Sequence, residues 1–133
     1  EIQLAGADLT NANCENADLS GANLVTTILI EAVLRSAKLD SIDMSNAKAN
    51  KANFERCLFA NAKLIGCNFR RAVLRYTDFS SADARNANFG GSDLTGAILD
   101  GAKLTGASYD RLTLFPKGFD PKAVGMKSVN LPK

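Results

Sequence analysis

Residues 7–24 read ADLTNANCENADLSGANL, in which a small residue and, two places later, a large apolar residue recur every five residues. The large positions continue from Leu4 to Tyr109, and seventeen of these twenty-two places hold Leu or Phe. The small positions run from Ile2 to Ala107, and fifteen of these twenty-two places hold Ala. An unbroken five-residue period therefore organises most of the chain.

This period fits neither of the two common regular structures. On an α-helix a step of five residues advances the apolar position by about 140°, so no apolar stripe forms. On a flat strand an odd step moves each successive large residue to the opposite face. The backbone must therefore turn a corner once per repeat, which keeps the small and large positions inside. Seven of the ten glycines occupy the last of the five positions, which lies outside or in the bend.

Several runs resemble the A(D/N)LXX motif of the pentapeptide-repeat family: Ala7–Asn11, Ala17–Gly21, Ala22–Leu24 and Ala87–Gly91. The resemblance implies an all-β fold, a right-handed quadrilateral β-helix with four five-residue sides in each coil. The sequence then predicts a repeat domain over residues 1–111, with about 22 repeats in 5–6 coils. At a strand spacing of about 4.8 Å the rod is roughly 26 Å long.

A coil of twenty residues places residues twenty apart directly above one another. Two outward columns then alternate in charge, and opposite charges at strand spacing attract. These columns are Asp43, Lys63, Asp83, Lys103 and Glu15, Arg35, Glu55, Arg75. The alternation supports the predicted length of the coil.

The repeat fades after Arg111, and residues 112–133 are predicted to form a C-terminal capping segment with a short helix. Asp120 and Pro121 suit a helix start, with the short helical turn at 122–124 ending at Gly125. Leu112 and Leu114 are expected to keep the small and large inward positions, while three further apolar residues fold over the last coil: Phe115, Phe119 and Met126. The run FPKGFDPKAVGM also resembles the C-terminal ends of family members from cyanobacteria and the plant thylakoid lumen.

Composition excludes most enzyme classes. The 133 residues contain no His, which is the commonest general base and metal ligand, and carry a formal charge of only +2. No window approaches the roughly 20 apolar residues of a membrane span. We therefore expect a soluble, non-membrane-spanning protein that is not an enzyme and has no catalytic residues, metal, cofactor or small-molecule substrate.

Two of the three cysteines, Cys57 and Cys67, replace Ala at small inward positions. They lie ten residues apart, on opposite sides of one coil, where a disulfide needs Cα atoms within about 7 Å. We expect reduced, buried thiols. A redox pair that pins one coil is the alternative.

One stretch departs from the polar exterior and predicts an interaction patch of four outward apolar residues: Val25, Ile28, Ile30 and Val33. A flat β-face without a partner is the alternative. At the N-terminal end, Ile2 and Leu4 are already in the repeat pattern, so an upstream segment or self-association at this open edge is expected.

The favoured function is a structural or protein-interaction scaffold with an unidentified protein partner. The C-terminal resemblance implies the chloroplast thylakoid lumen, or otherwise a soluble cyanobacterial protein. The alternative is a DNA-mimicking protein that binds gyrase, as some family members do. Mimicry needs an acidic surface, whereas five arginines cluster mid-chain: Arg56, Arg70, Arg71, Arg75 and Arg85. Without interleaved aromatic residues this cluster does not predict nucleic-acid binding.

Overall fold

The computed structural model describes residues 1–129, and within them each repeat ends in a β-turn. In the first turn the amide of Ala7 donates to the carbonyl of Leu4 at 2.9 Å, and the same bond recurs in the following repeats except at Thr77, where the hydroxyl donates to Leu74 instead. The third residue of each turn has a positive φ, such as 72° at Gly6 and 61° at Asn11. A single positive φ at this place is typical of a type II turn. The corner predicted for each repeat is confirmed.

Successive coils are joined by parallel bridges between residues twenty apart, beginning with Gln3 and Asn23. The amide of Leu4 donates to the carbonyl of Asn23, and the amide of Asn23 donates to the carbonyl of Ile2, both at 2.8 Å. Each side of a coil is too short for a longer strand. The coil of twenty residues is therefore confirmed.

Each coil has four sides. Stacked sides form four faces, A to D, and each face is defined by the outward residues at the middle of its sides. Face A contains Gln3, Asn23, Asp43, Lys63, Asp83 and Lys103. Face B contains Asp8, Ile28, Lys48, Asn68, Asn88 and Ser108. Face C contains Asn13, Val33, Asn53, Val73, Asp93 and Leu114, and face D contains Asp18, Lys38, Leu58, Asp78 and Ile98. Corner BC, for example, consists of residues 10–11, 30–31, 50–51, 70–71 and 90–91.

The small and large positions form one continuous buried core. Phenylalanine rings twenty residues apart stack inside it, Phe59 on Phe79 at 5.0 Å and Phe69 on Phe89 at 5.3 Å between ring centroids. Ala49 occupies a large position one coil above Phe69 and is fully buried. Small and large side chains in neighbouring coils thus fill the shaft together.

The repeat ends with a one-residue insertion. Asp93 pairs with Leu114, twenty-one residues on, because Thr113 takes the inward place and its hydroxyl donates to the carbonyl of Phe89 at 3.0 Å. Leu112 and Leu114 are consequently 55% and 54% exposed. The expectation that these two leucines point inward was wrong, since the insertion shifts both by one place.

The chain then returns to the last coil. β1 at Ser108–Tyr109 pairs in parallel with β2 at Lys127–Ser128. Between them a short 3-10 helix spans Lys122–Val124, and the carboxylate of Asp120 accepts the amide of Lys122 at 3.1 Å. Three apolar side chains of this segment pack against the end of the core: Phe115, Phe119 and Met126.

Candidate interaction surface

The outward Asp and Asn residues of the four faces perform a repeated structural task. At Asp8 the carboxylate accepts the backbone amide of Thr10, two residues on, at 3.0 Å. Eleven Asp or Asn residues make this bond: Asp8, Asn13, Asp18, Asn23, Asp43, Asn53, Asn68, Asp78, Asp83, Asn88 and Asp93. The Asp or Asn of the A(D/N)LXX motif is the sequence signal of this bond, although the motif alone did not predict it.

These hydrogen bonds favour the charged form of the carboxylates. The Thr10 hydroxyl and amide hold the pKa of Asp8 below its usual value, and Ser20 does the same for Asp18. The guanidinium of Arg85 lowers the pKa of Asp83. These three carboxylates are ionised partners of the backbone and of neighbouring side chains, which does not suit a general acid.

One of the two predicted charge columns forms ion pairs between coils. Glu55 lies 3.7 Å from Arg35 and 3.5 Å from Arg75, and Arg75 also lies 3.5 Å from Asp93. In the other column the residues are stacked as predicted. Asp83, however, pairs with Arg85 of its own turn at 2.7 Å.

The four residues of the predicted apolar patch lie in the second coil, and all are partly buried. Val25 lies at the corner between faces A and B, Ile28 on face B, Ile30 at corner BC and Val33 on face C. At Ile28 and Val33, branched apolar side chains occupy places where eleven other repeats have an Asp or Asn acceptor. The patch therefore continues over two adjacent faces at the expense of two turn-stabilising hydrogen bonds.

A group of cations lies directly below this patch on the same corner. Ile28 is bridged to Lys48 on face B. Lys51, Arg70 and Arg71 follow at corner BC in the third and fourth coils. Within residues 1–129, none of these four cations forms an ion pair. We name the whole surface the BC ridge, made of Ile28, Ile30, Val33, Lys48, Lys51, Arg70 and Arg71.

The mid-chain arginines therefore do not form one cluster. Arg70 and Arg71 lie on the BC ridge, whereas Arg85 lies at the corner between faces A and B beside Asp83. Arg75 joins the ion pairs at the corner between faces C and D. Arg56, at that same corner, stacks on the ring of Tyr76 at 4.9 Å.

Cys57 and Cys67 are fully buried free thiols on opposite sides of the third and fourth coils. Burial raises the pKa of the Cys57 thiol to about 12, and its Sγ donates to the carbonyl of Leu34 at 2.8 Å. Burial also raises the pKa of Cys67. Both groups are neutral thiols at neutral pH, which is unfavourable for nucleophilic chemistry.

The described residues offer little for a small ligand. A groove of about 260 Å³ lies between the last coil and the C-terminal segment, bordered by Leu99, Pro116 and Phe119. Residues 1–129 contain no group of His, Cys, Asp or Glu side chains arranged to hold a metal ion. In the same range, no helix has the length and apolar character needed to cross a bilayer.

Stacked coils with four five-residue sides define the class of this molecule, a quadrilateral β-helix. Eight copies of the family model described as pentapeptide repeats match the chain, over residues 1–35, 27–57, 52–91 and 77–108. The chain belongs to the pentapeptide-repeat family. Among curated proteins, none matches this chain.

Solved structures of other family members are similar. A pentapeptide repeat protein, Rfr23, from the cyanobacterium Cyanothece 51142 is 33% identical over 74% of this chain, with a TM-score of 0.62. This chain spans 64% of the length of Rfr23, less than two thirds. QnrB1, a plasmid-mediated fluoroquinolone resistance protein, is 19% identical, with 96% of this chain and 77% of QnrB1 covered and a TM-score of 0.50. A pentapeptide repeat protein of the Arabidopsis thaliana thylakoid lumen is 19% identical, with 83% of this chain and 67% of that one covered and a TM-score of 0.43.

Proposed function

We propose that this protein is a non-enzymatic scaffold that binds a protein partner through the outer faces of its coils. The observation that carries the proposal is the filled shaft, in which the inward residues of the central coils are fully buried. Catalytic sites need a concave, partly dry pocket, and the flat outer faces provide none. Rigid faces with side chains at regular spacing suit the binding of another macromolecule.

The carboxylates support the same conclusion. Asp8, Asp18 and Asp83 accept hydrogen bonds within their own turns, and Glu55 pairs with two arginines. The sequence contains no histidine to act as a general base. The polar groups of the surface therefore stabilise the coil and do not form a reaction centre.

The proposed partner surface is the apolar patch of the second coil. Val25, Ile28, Ile30 and Val33 join two faces in one partly exposed apolar surface, on an exterior that is otherwise mostly polar. Ile28 and Val33 lack the hydrogen bond that Asp or Asn makes at such places, as do Leu58, Val73 and Ile98. The patch differs from those residues because its four apolar side chains lie on one coil. Apolar side chains grouped in this way suit the centre of a protein-binding surface.

Affinity capture with an Ile28→Asp and Ile30→Asp double variant tests this proposal. Asp is the residue that other repeats use at the position of Ile28, so the variant retains a suitable turn. We expect the wild type to capture a defined partner and the variant to lose it. The matched control is the double variant Leu58→Asp and Ile98→Asp on face D, where the native Leu58 and Ile98 side chains are exposed. Equal capture by all three proteins contradicts the proposed surface.

A photosynthetic setting is part of the proposal. The likeness to the cyanobacterial Rfr23 supports it, and the thylakoid lumen is the finer location that we propose. Detection of the protein in a fractionated lumen extract tests the location, and its recovery only from another compartment contradicts it. A DNA-mimicking role receives no support from the surface, because four cations of the BC ridge lack acidic partners within residues 1–129. The likeness to QnrB1, at 19% identity, shows the fold alone.

Self-association through the first coil is a separate proposal. Its inward side chains, including Leu4, Leu9 and Cys14, are only partly buried, and Ile2 is 44% exposed. Stacking of two first coils buries these groups. A mass measurement in solution that gives a dimer, lost on Ile2→Asp substitution, supports this contact, and a monomer at high concentration contradicts it.

A further inference from the structure

The apolar and basic parts of the BC ridge form one continuous surface. Ile28 and Lys48 are bridged partners in successive coils. At the corner itself, the amide of Lys51 donates to the carbonyl of Arg70 at 2.9 Å, which places Lys51 directly above Arg71. Residues separated by twenty places in the sequence thus lie one coil apart, at a spacing of about 4.8 Å.

The cations of the ridge are not neutralised by their surroundings. Four acidic residues lie on faces B and C or at the corner between them: Asp8, Glu31, Asp93 and Asp110. Asp8 is bridged to Ile28, and Glu31 lies one coil above Lys51. The Asp110 carboxylate accepts the amide of Gly91 in the fifth coil. Asp93 already lies 3.5 Å from Arg75, and Glu31 forms no ion pair within residues 1–129. Arg111, in the turn that joins face B to face C below this corner, is exposed and directly follows Asp110. In the third and fourth coils, however, faces B and C and the corner between them carry the four cations of the ridge and no acidic residue. These two coils therefore have a local excess of positive charge that the net charge of +2 does not reveal.

We propose that the BC ridge binds an acidic segment of a protein partner. In this complex an apolar side chain of the segment rests on Ile28, Ile30 and Val33, and its carboxylates face the cations of the next two coils. The distance from the apolar coil to the coil of Arg70 and Arg71 is about 10 Å, which three residues of extended chain span. This inference rests on the proposed scaffold function and adds the chemistry of the partner.

The ridge favours a protein over other polyanions. Single-stranded nucleic acid needs aromatic side chains for base stacking, and the exposed Tyr76 lies at a different corner. Insertion into a bilayer needs apolar side chains that protrude from the surface, whereas Ile28, Ile30 and Val33 are partly buried. An apolar centre with a charged border is the composition of a protein-binding surface.

A charge-reversal variant tests the basic half of the ridge. Lys51→Glu with Arg71→Glu changes two exposed positions whose φ values are 60° and 59°, and Glu31 already occupies the same place with a φ of 58°. The backbone of both positions therefore accepts the change. Because Glu31 lies above them in the same column, circular dichroism first verifies that the variant is folded. Lys117→Glu with Lys122→Glu is the control with the same change in charge, at exposed positions outside the β-bridges.

The probe is a fluorescein-labelled peptide of three leucines followed by four glutamates, measured by fluorescence anisotropy. We expect this peptide to bind the wild type, and the Lys51→Glu/Arg71→Glu variant to bind about tenfold more weakly or worse. The control variant is expected to retain wild-type affinity. Equal weakening by both variants overturns the proposal, and so does equally strong binding of a peptide with lysines in place of the glutamates.

Two further probes separate the classes of partner. A 20-base-pair DNA duplex and vesicles with anionic lipid are each added to the wild type at the same salt concentration. Preferential binding of either probe over the acidic peptide overturns the assignment to a protein. If the Ile28→Asp/Ile30→Asp variant loses the captured partner while Lys51→Glu/Arg71→Glu retains it, the scaffold function stands and the acidic-segment inference fails. Absence of any captured partner, by contrast, contradicts the scaffold function itself.

Discussion

Each corner of the coil places one residue in the left-handed region of backbone space. Seven of these residues are glycines, but fourteen have side chains, among them Thr26, Glu31 and Tyr76. This conformation costs a residue with a side chain about 1–2 kcal/mol. The stacking of the coils must therefore impose the turn, since many of the local sequences do not favour it.

Substitutions at two glycines distinguish the energetic cost of a positive φ from the cost of a steric clash with a neighbouring side chain. Gly21 has φ 70° and open space around it, whereas a Cβ at Gly96, with φ 71°, meets the ring of Tyr76 at 2.5 Å. We expect Gly21→Ala to lower the free energy of unfolding by about 1 kcal/mol. Gly96→Ala is expected to lower the free energy of unfolding by about 2 kcal/mol, because the Tyr76 ring must move away from its stacking position under Arg56. Urea unfolding followed by circular dichroism measures both, and equal values contradict this account.

The coil is the element in which local and stacked interactions combine. Its inward positions tolerate Cys57, Cys67 and Thr77 in place of alanine, since each is small. The Thr77 hydroxyl donates to the carbonyl of Leu74 at 2.7 Å, so its burial leaves no unpaired donor. The sequence predicted buried, reduced thiols at Cys57 and Cys67, because the five-residue period continues through them.

The thiols provide a test of the packing of the central coils. In the native protein at pH 8 we expect a thiol reagent to leave Cys57 and Cys67 unmodified, since burial excludes the reagent and raises both pKa values. Cys14 in the first coil is only partly buried and reacts faster. A Cys14→Ser variant should therefore show no thiol reaction before it unfolds in denaturant. Rapid reaction of two thiols in that variant contradicts a tightly packed shaft.

At the scale of the whole molecule, the period of five predicted the fold because inward positions dominate the sequence pattern. Which residues are neighbours on the surface was harder to predict, because stacking brings together residues that are twenty places apart in the sequence. Arg70, Arg75 and Arg85 are close in sequence but lie at three different corners. Conversely, Ile28 and Lys48 are distant in sequence and adjacent in the structure. The insertion before Leu114 also escaped prediction, because it depends on a buried hydrogen bond of Thr113.

Site-specific photo-crosslinking tests most directly whether binding is confined to the BC ridge. A photoreactive residue replaces Asn50, at corner BC between Ile30 and Arg70, or Ala60, ten residues on in the chain and at the opposite corner. Both positions are partly buried, and they occupy equivalent places in their repeats. In an extract that contains the partner, we expect the probe at Asn50 to form an adduct whose cross-linked peptide is rich in Asp and Glu, and the probe at Ala60 to form none. Equal adducts from both positions, or an adduct from Ala60 alone, would contradict binding at this corner.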